Sequence, residues 1–316
     1  MQISNLSELL NATLINEGSV LSVGGFCIDL ASLKPSFAFF SNDASEVDEA
    51  VRKGAFVVVS EERFAVKDAE VFYLQVENLQ NAILRLLRFL CEEKGLEFVL
   101  CEGGDFRLCE GFGLKKLSGR VAWDFEPLSR ARAGEIFCCE AADYLLKLGA
   151  FYGRLEDENY EILSRSSPFY TSVLCENLYF KNIPLPLIYA ENFAKWVGFL
   201  QKRGQKLRFD AGRLDFFKIY FVNENNEILA FGKGARAFIV VFCEEDFNFW
   251  LENFRPQKEL KTALKNSLFC DFSYQNLADL KNFKDFRYCL VLVDDEGEFV
   301  RNFEKREGGE KNLLNP

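Results

Sequence analysis

Gly232, Lys233, Gly234, Ala235 and Arg236 set two cations beside two glycines. Backbone N–H groups exposed at the glycines, with Lys233 and Arg236 alongside, are the ingredients of an anion cradle. The same five residues suit a hairpin turn between two strands, and their turn chemistry favours that second reading. Asp294, Asp295, Glu296 and Glu298 gather carboxylates of the kind a hard cation uses, but without the spacing of a calcium loop. A solvated turn between two strand-like runs fits them better, and no metal is expected. Cys138 and Cys139 would serve as a nucleophile or redox pair only with a depressed thiol pKa, and the neighbouring sequence supplies no cation for that. Buried adjacent thiols are the better reading. Glu102 and Asp105 offer paired carboxylates of the glycosidase type, yet two acids in a Gly-rich stretch are too common to carry that chemistry.

What is missing narrows the choice further. The chain of 316 residues contains no His, which removes Ser-His-Asp and Cys-His mechanisms, His-zinc catalysis and His proton shuttles together. A formal net charge of −10, with only short basic clusters such as residues 201–206, argues against a nucleic-acid groove. No segment approaches the roughly 20 apolar residues of a membrane span, and residues 1–15 lack the basic and apolar regions of a signal peptide. These features lead to the expectation of a cytoplasmic protein, without membrane insertion, whose ten cysteines are reduced thiols. Because 34 Phe stand against one Met, rings are the default core filler, and an aromatic stripe carries little functional meaning.

The elements that would position these groups fall into two styles. Residues 4–14 carry an apolar helical stripe, residues 19–29 a strand bent at Gly24-Gly25, and residues 36–40 a second strand after Lys34-Pro35. A helix over 45–53 stopped by Gly54, a buried strand over 55–60, a strand over 70–76, and a helix over 79–94 ending at Gly95 follow. The next strand is 96–101. Residues 102–119 read as loops or short hairpins, 135–155 as helical, and 188–200 as a helix behind a rigid Pro-rich entry. Beyond residue 210 the pattern becomes β-rich, with hairpins expected around residues 223–227 and 294–297.

The first 95 or so residues, in this order, resemble the N-terminal domain of the Mur ligases, the enzymes that add amino acids to the UDP-linked peptidoglycan precursor. Cys27-Ile28-Asp29, Lys34-Pro35, Phe39-Phe40, the helix over 47–53, Gly54-Ala55 and the strand 56–61 occur in the order of that family's motifs. The resemblance implies that Cys27, Asp29 and Lys34 lie where the precursor's nucleotide is held. It also shows erosion. Leu30 and Ala31 replace the family's Ser and Arg, Ser36 replaces a Gly, and residues 42–45 are too short for its Gly-His loop. Losing the Arg removes a bidentate phosphate partner. After the strand 96–101, where the family has a G-x-x-G-K-[ST] type ATP loop, this chain has Cys101-Glu102-Gly103-Gly104-Asp105-Phe106-Arg107. It has neither the Lys nor the hydroxyl, and two acids face the place of a triphosphate.

The expected architecture is α/β: a Mur-ligase-like N-terminal α/β domain over 1–95, then a larger α+β domain with β-hairpins over 96–304, and a flexible tail over 305–316. The expected function is a non-catalytic Mur-ligase-like protein that binds a UDP-linked cell-wall precursor or a protein partner. No cofactor is expected. Candidate ligand-binding residues are Cys27, Asp29, Lys34, Lys233 and Arg236. Two alternatives stay open: an ATP-independent transferase or hydrolase acting on an anionic small molecule, and a structural interaction module.

Overall fold

A computed structural model describes residues 1–149, 151–164, 167–254 and 256–304. The chain divides into two compact units, Met1–Glu156 and Asp157–Pro316. The tail expected to be flexible, 305–316, lies outside the described residues.

The first unit holds two sheets that share one main core cluster, with two smaller clusters under α2. Strands β1 (Thr13–Leu14), β2 (Gly25–Cys27), β3 (Phe37–Phe40), β4 (Val57–Ser60) and β5 (Phe72–Gln75) lie in the order β1-β5-β4-β3-β2. The run from β2 to β5 is parallel, and β1 closes its far edge antiparallel. A parallel sheet covered on both faces needs strands without alternation, which is what Val57–Val59 supply. Helices α1 (Ile3–Leu10), α2 (Ala44–Arg52) and α3 (Leu79–Glu93) accompany it. Asp43 caps α2 by accepting from Ser45 N and Glu46 N, and Asn78 caps α3 by accepting from Asn81 N.

The second sheet is all parallel, in the order β7-β8-β6-β9, from β6 (Glu97–Leu100), β7 (Lys115–Lys116), β8 (Ile136–Cys139) and β9 (Gly153–Arg154). Helices α4 (Gly103–Leu108), α5 (Val121–Ser129) and α6 (Ala142–Leu148) connect it. Residue 95 sits in the turn between α3 and β6, so it does separate the two sheets. It does not separate two cores. Leu86, Leu87 and Leu90 of α3 belong to one cluster that runs from Ile3 and Leu6 to Phe137 and Leu148.

Two expectations for this stretch are corrected. Residues 102–119 are not hairpins: they form α4, a 3-10 turn and β7. Residues 136–139 are a buried strand rather than helix, because four consecutive apolar residues satisfy either state until a sheet claims them.

The second unit begins with an antiparallel sheet of β10 (Tyr160–Ser164), β11 (Thr171–Cys175) and β12 (Leu178–Ile183), followed by α7 (Ala190–Lys202). Its second sheet has the order β13-β14-β17-β15-β16. The strands are β13 (Phe217–Val222), β14 (Arg236–Val241), β15 (Leu260–Lys265), β16 (Phe272–Tyr274) and β17 (Tyr288–Leu292), with helices α8 (Glu244–Asn253) and α9 (Glu296–Phe303). Only β13 runs antiparallel to its neighbour.

At 223–227 the expected turn forms, with Asn223 N donating to Glu227 O and Leu229 N to Phe221 O, but the pairing stops at one bridge. At 294–297 no hairpin forms. Residues 228–231 contribute a single bridge, Val222 with Ile228, and β13 pairs instead with β14. Asn223 Oδ1 accepts from Asn225 N and Glu227 N, folding the connection on itself. Residues 298–303 are helical. Asp295 caps α9 through Gly297 N and Glu298 N, and Phe299 and Phe303, one turn apart, pack on Phe238. Among the described residues no helix is long and apolar enough to cross a membrane.

Candidate functional site

The end of β2 is tied into a compact turn by short-range polar contacts. Asp29 Oδ1 accepts from Ala31 N at 3.0 Å, Ser32 N donates to Asp29 O at 3.1 Å, and Cys27 Sγ donates to the same carbonyl at 2.7 Å. Lys53 Nζ donates to Leu30 O at 3.3 Å and holds the turn from outside. This is the carboxyl end of a parallel sheet, where α/β folds place ligands.

Helix α5 faces that turn. Its entry is fixed by Asp124, only 2% exposed, whose two oxygens accept from Ser118 N at 2.8 Å and Gly119 N at 3.0 Å. Burial, and after it the Asp124 charge, push the Tyr144 phenol well above its ordinary range. Phe125 points into the core beside Phe40, with ring centroids 6.2 Å apart. Trp123, two residues earlier, stays 72% exposed. Pro127 lacks the N–H that would bond the Trp123 carbonyl one turn back.

Between the turn and α5 lies a cleft of about 450 Å³. Cys27, Asp29 and Ser32 line it from the strand end, and Trp123, Glu126 and Arg130 from the helix. Arg130 pairs with Glu126 one turn away and reaches across to Ser32 O at 3.4 Å. Lys115, also in the lining, pairs with Glu135 at 2.7 Å. Burial works to raise the Glu135 carboxyl, but the Lys115 hydrogen bond, the Arg132 backbone bond and the two cations outweigh it and hold that carboxyl below its usual value. The cleft therefore offers an aromatic face, a hydroxyl, the Glu126–Arg130 pair and the Lys115 cation, while the Cys27 thiol is buried at its floor.

The folded chain is similar to solved structures of Mur ligases. A MurF from Acinetobacter baumannii superposes with a TM-score of 0.60 at 10% identity, covering 96% of this chain and 99% of that one. The UDP-N-acetylmuramoylalanyl-D-glutamyl-2,6-diaminopimelate–D-alanyl-D-alanyl ligase from the same organism gives 0.57 at 12% identity, over 96% and 88% of the two chains. MurF ligase from Thermotoga maritima, solved in complex with ADP, gives 0.53 at 10% identity, over 88% and 96%. The chain has the Mur ligase fold. No protein-family model and no curated protein matches the sequence.

In this Mur ligase fold, the strand-to-helix junction after β6 stands at the place the resemblance gives to the ATP loop. Gly103 adopts a left-handed φ of +53°, and its N–H donates to Glu140 Oε1 at 3.3 Å. A carboxylate of the chain itself thus meets the N–H group at the head of α4, with Glu102 and Asp105 on either side in sequence.

Cys27 and Asp29 belong to the cleft, whereas Lys34 is an exposed turn residue, its carbonyl accepting from Phe37 N, and is not part of the lining. Lys233 and Arg236 belong to the second unit. Arg236 donates to Lys284 O and Asn223 O and lies 5.2 Å from the Phe286 ring centroid, so it braces backbone at the start of β14. Lys233 is exposed in a turn that its N–H closes on Ala230 O. Cys138 is fully buried, and burial, with the Cys101 and Cys109 thiols beside it, raises its pKa, the opposite of activation. Among the described residues no group of three or more His, Cys, Asp or Glu is placed to hold a metal.

Sequence reasoning missed Lys115, Trp123, Glu126 and Arg130, because residues 102–119 read as loops or short hairpins and 120–134 received no element. One signal was there: Val121, Phe125 and Leu128 keep helical spacing, which puts Trp123 and Glu126 off the buried stripe.

Proposed function

We propose that this chain is a non-catalytic protein of Mur ligase fold that binds a UDP-linked cell-wall precursor in the cleft between the 27–32 turn and α5. The observation that carries the reading is the pair of strand ends in the first unit. At one, a lined cleft adjoins the turn after β2. At the other, Glu140 meets the Gly103 N–H, in a junction with neither the Lys nor the hydroxyl that ATP loops use. Trp123 supplies a face for a base or sugar ring, and Arg130 a fork for an anionic group. That the similar ligase from A. baumannii is named for a UDP-N-acetylmuramoyl peptide supports the choice of ligand class.

Isothermal titration calorimetry with a UDP-N-acetylmuramoyl peptide and, separately, with magnesium ATP tests this. The expected result is saturable binding of the precursor, no heat with ATP and no phosphate release. Tight ATP binding with turnover overturns the non-catalytic reading, and absence of precursor binding overturns the ligand class.

A further inference from the structure

Both cations that line the cleft already carry a carboxylate: Arg130 carries Glu126, and Lys115 carries Glu135. The two pairs are not equivalent. Glu135 is not part of the lining, whereas Glu126 lines the cleft beside the guanidinium it neutralises. Arg130 is also steered from the opposite wall, where Nη2 donates to Ser32 O at 3.4 Å, linking residues 98 apart in sequence.

From this arrangement we infer that Glu126 is an internal competitor for the cleft's anion fork, and so a specificity-determining residue of the site. Arg130 presents a planar set of donors suited to phosphate or carboxylate, and Glu126 occupies part of it from within the same helix. The pair is about half exposed on both sides, so it is weak and exchangeable rather than a locked buried bridge. A ligand anion takes over the fork while the Ser32 carbonyl keeps the guanidinium aimed across the cleft. With Asp29 as a second carboxylate in the lining, a bare anion is disfavoured. A ligand that adds a ring for Trp123 recovers the difference, so the class selected is a ring-bearing phosphate ester rather than free phosphate.

This inference rests on the reading of the cleft as the binding site, and the test separates the two. Trp196 and Trp250 are fully buried, so quenching of the exposed Trp123 reports occupancy, with Trp123→Phe as the optical control. UDP and inorganic pyrophosphate are titrated into the intact chain. UDP is expected to bind more tightly than pyrophosphate. Glu126→Gln is expected to tighten UDP by about two- to fivefold, the size of an exposed ion pair. Arg130→Gln is expected to weaken it by about tenfold. In the Arg130→Gln background, Glu126→Gln is expected to tighten UDP clearly less, because only the through-space repulsion of a lining carboxylate is left once the fork is gone. If UDP binds and Glu126→Gln leaves its affinity unchanged, or tightens it equally without Arg130, the inference is overturned while the cleft stands. If the wild type binds neither UDP nor the UDP-N-acetylmuramoyl peptide, the cleft reading fails and takes the inference with it.

Discussion

Two strand ends of the first unit, those of β2 and β6, both lie at the carboxyl edge of a parallel sheet and differ in what the chain does next. After β2, side chains of the turn and of α5 leave a cleft of about 450 Å³ with an exposed Trp123 at its edge. After β6, the chain passes directly into α4, and Glu140 bonds the Gly103 N–H. The difference lies in charge and geometry together. Where backbone donors meet a resident carboxylate, a phosphate must displace a covalently tethered rival and approach Glu102 and Asp105 as well. In the cleft the resident carboxylate, Glu126, only shares a longer and more adaptable cation.

The contrast can be broken most severely at the wall that separates the cleft from the core. Phe125→Ala removes a fully buried ring packed on Phe40 and should cost about 3–5 kcal/mol, seen as a lower urea midpoint. A loss below about 1 kcal/mol would show that this wall is not part of the folded core. Asp124→Ala comes next. It leaves the Ser118 and Gly119 N–H groups without their acceptor, for an expected loss of about 1–3 kcal/mol by the same measurement.

Smaller effects sharpen the comparison at the closed junction. Glu140→Gln should change stability by no more than about 0.5 kcal/mol and leave ATP binding undetectable by calorimetry, since Lys and hydroxyl are still missing. ATP binding in that variant would mean that Glu140 alone keeps the junction shut. The least effect is expected from Glu135. Its carboxyl is depressed below the ordinary 4.5 in the folded protein, so its contribution is present above about pH 4.5 and lost as pH falls through the folded value. Screening through the exposed Lys115 partner limits the effect to roughly 0.5 kcal/mol or less. Urea titrations at pH 7 and pH 4 should therefore show a slightly smaller acid-side loss for Glu135→Gln than for wild type.

Much of the first sheet was legible because its signals are local. Asp43 and Asn78 announce helix starts, Gly54 and Gly95 follow helix ends, and the Val57–Val59 run fits only a strand covered on both faces. The stretch from 102 to 140 was not legible, for two reasons. Four apolar residues such as Ile136–Cys139 satisfy either a helix or a strand, and a six-residue helix like α4 is too short to show a period. Asp295 misled in the opposite way, since the same Asp-rich segment can make a turn or cap a helix. The buried positions of Phe299 and Phe303, one turn apart, decide for the cap.

Of the candidate site, Cys27 and Asp29 are named through the family resemblance, and the fold puts both in the lining of one cleft. Their partners are not. Arg130 and Ser32 are 98 residues apart, and no spacing rule joins them.

By itself, the sequence determined the chemistry that this chain cannot do and the order in which its first elements occur. The absence of His is such a limit, since it belongs to composition and survives any fold. Only the tertiary structure decided which charges meet. An ion pair or a donor–acceptor contact acts over a few ångströms, and it took a parallel sheet, a fixed helix entry at Asp124 and a shared core to bring Arg130 to Ser32, and Glu140 to Gly103.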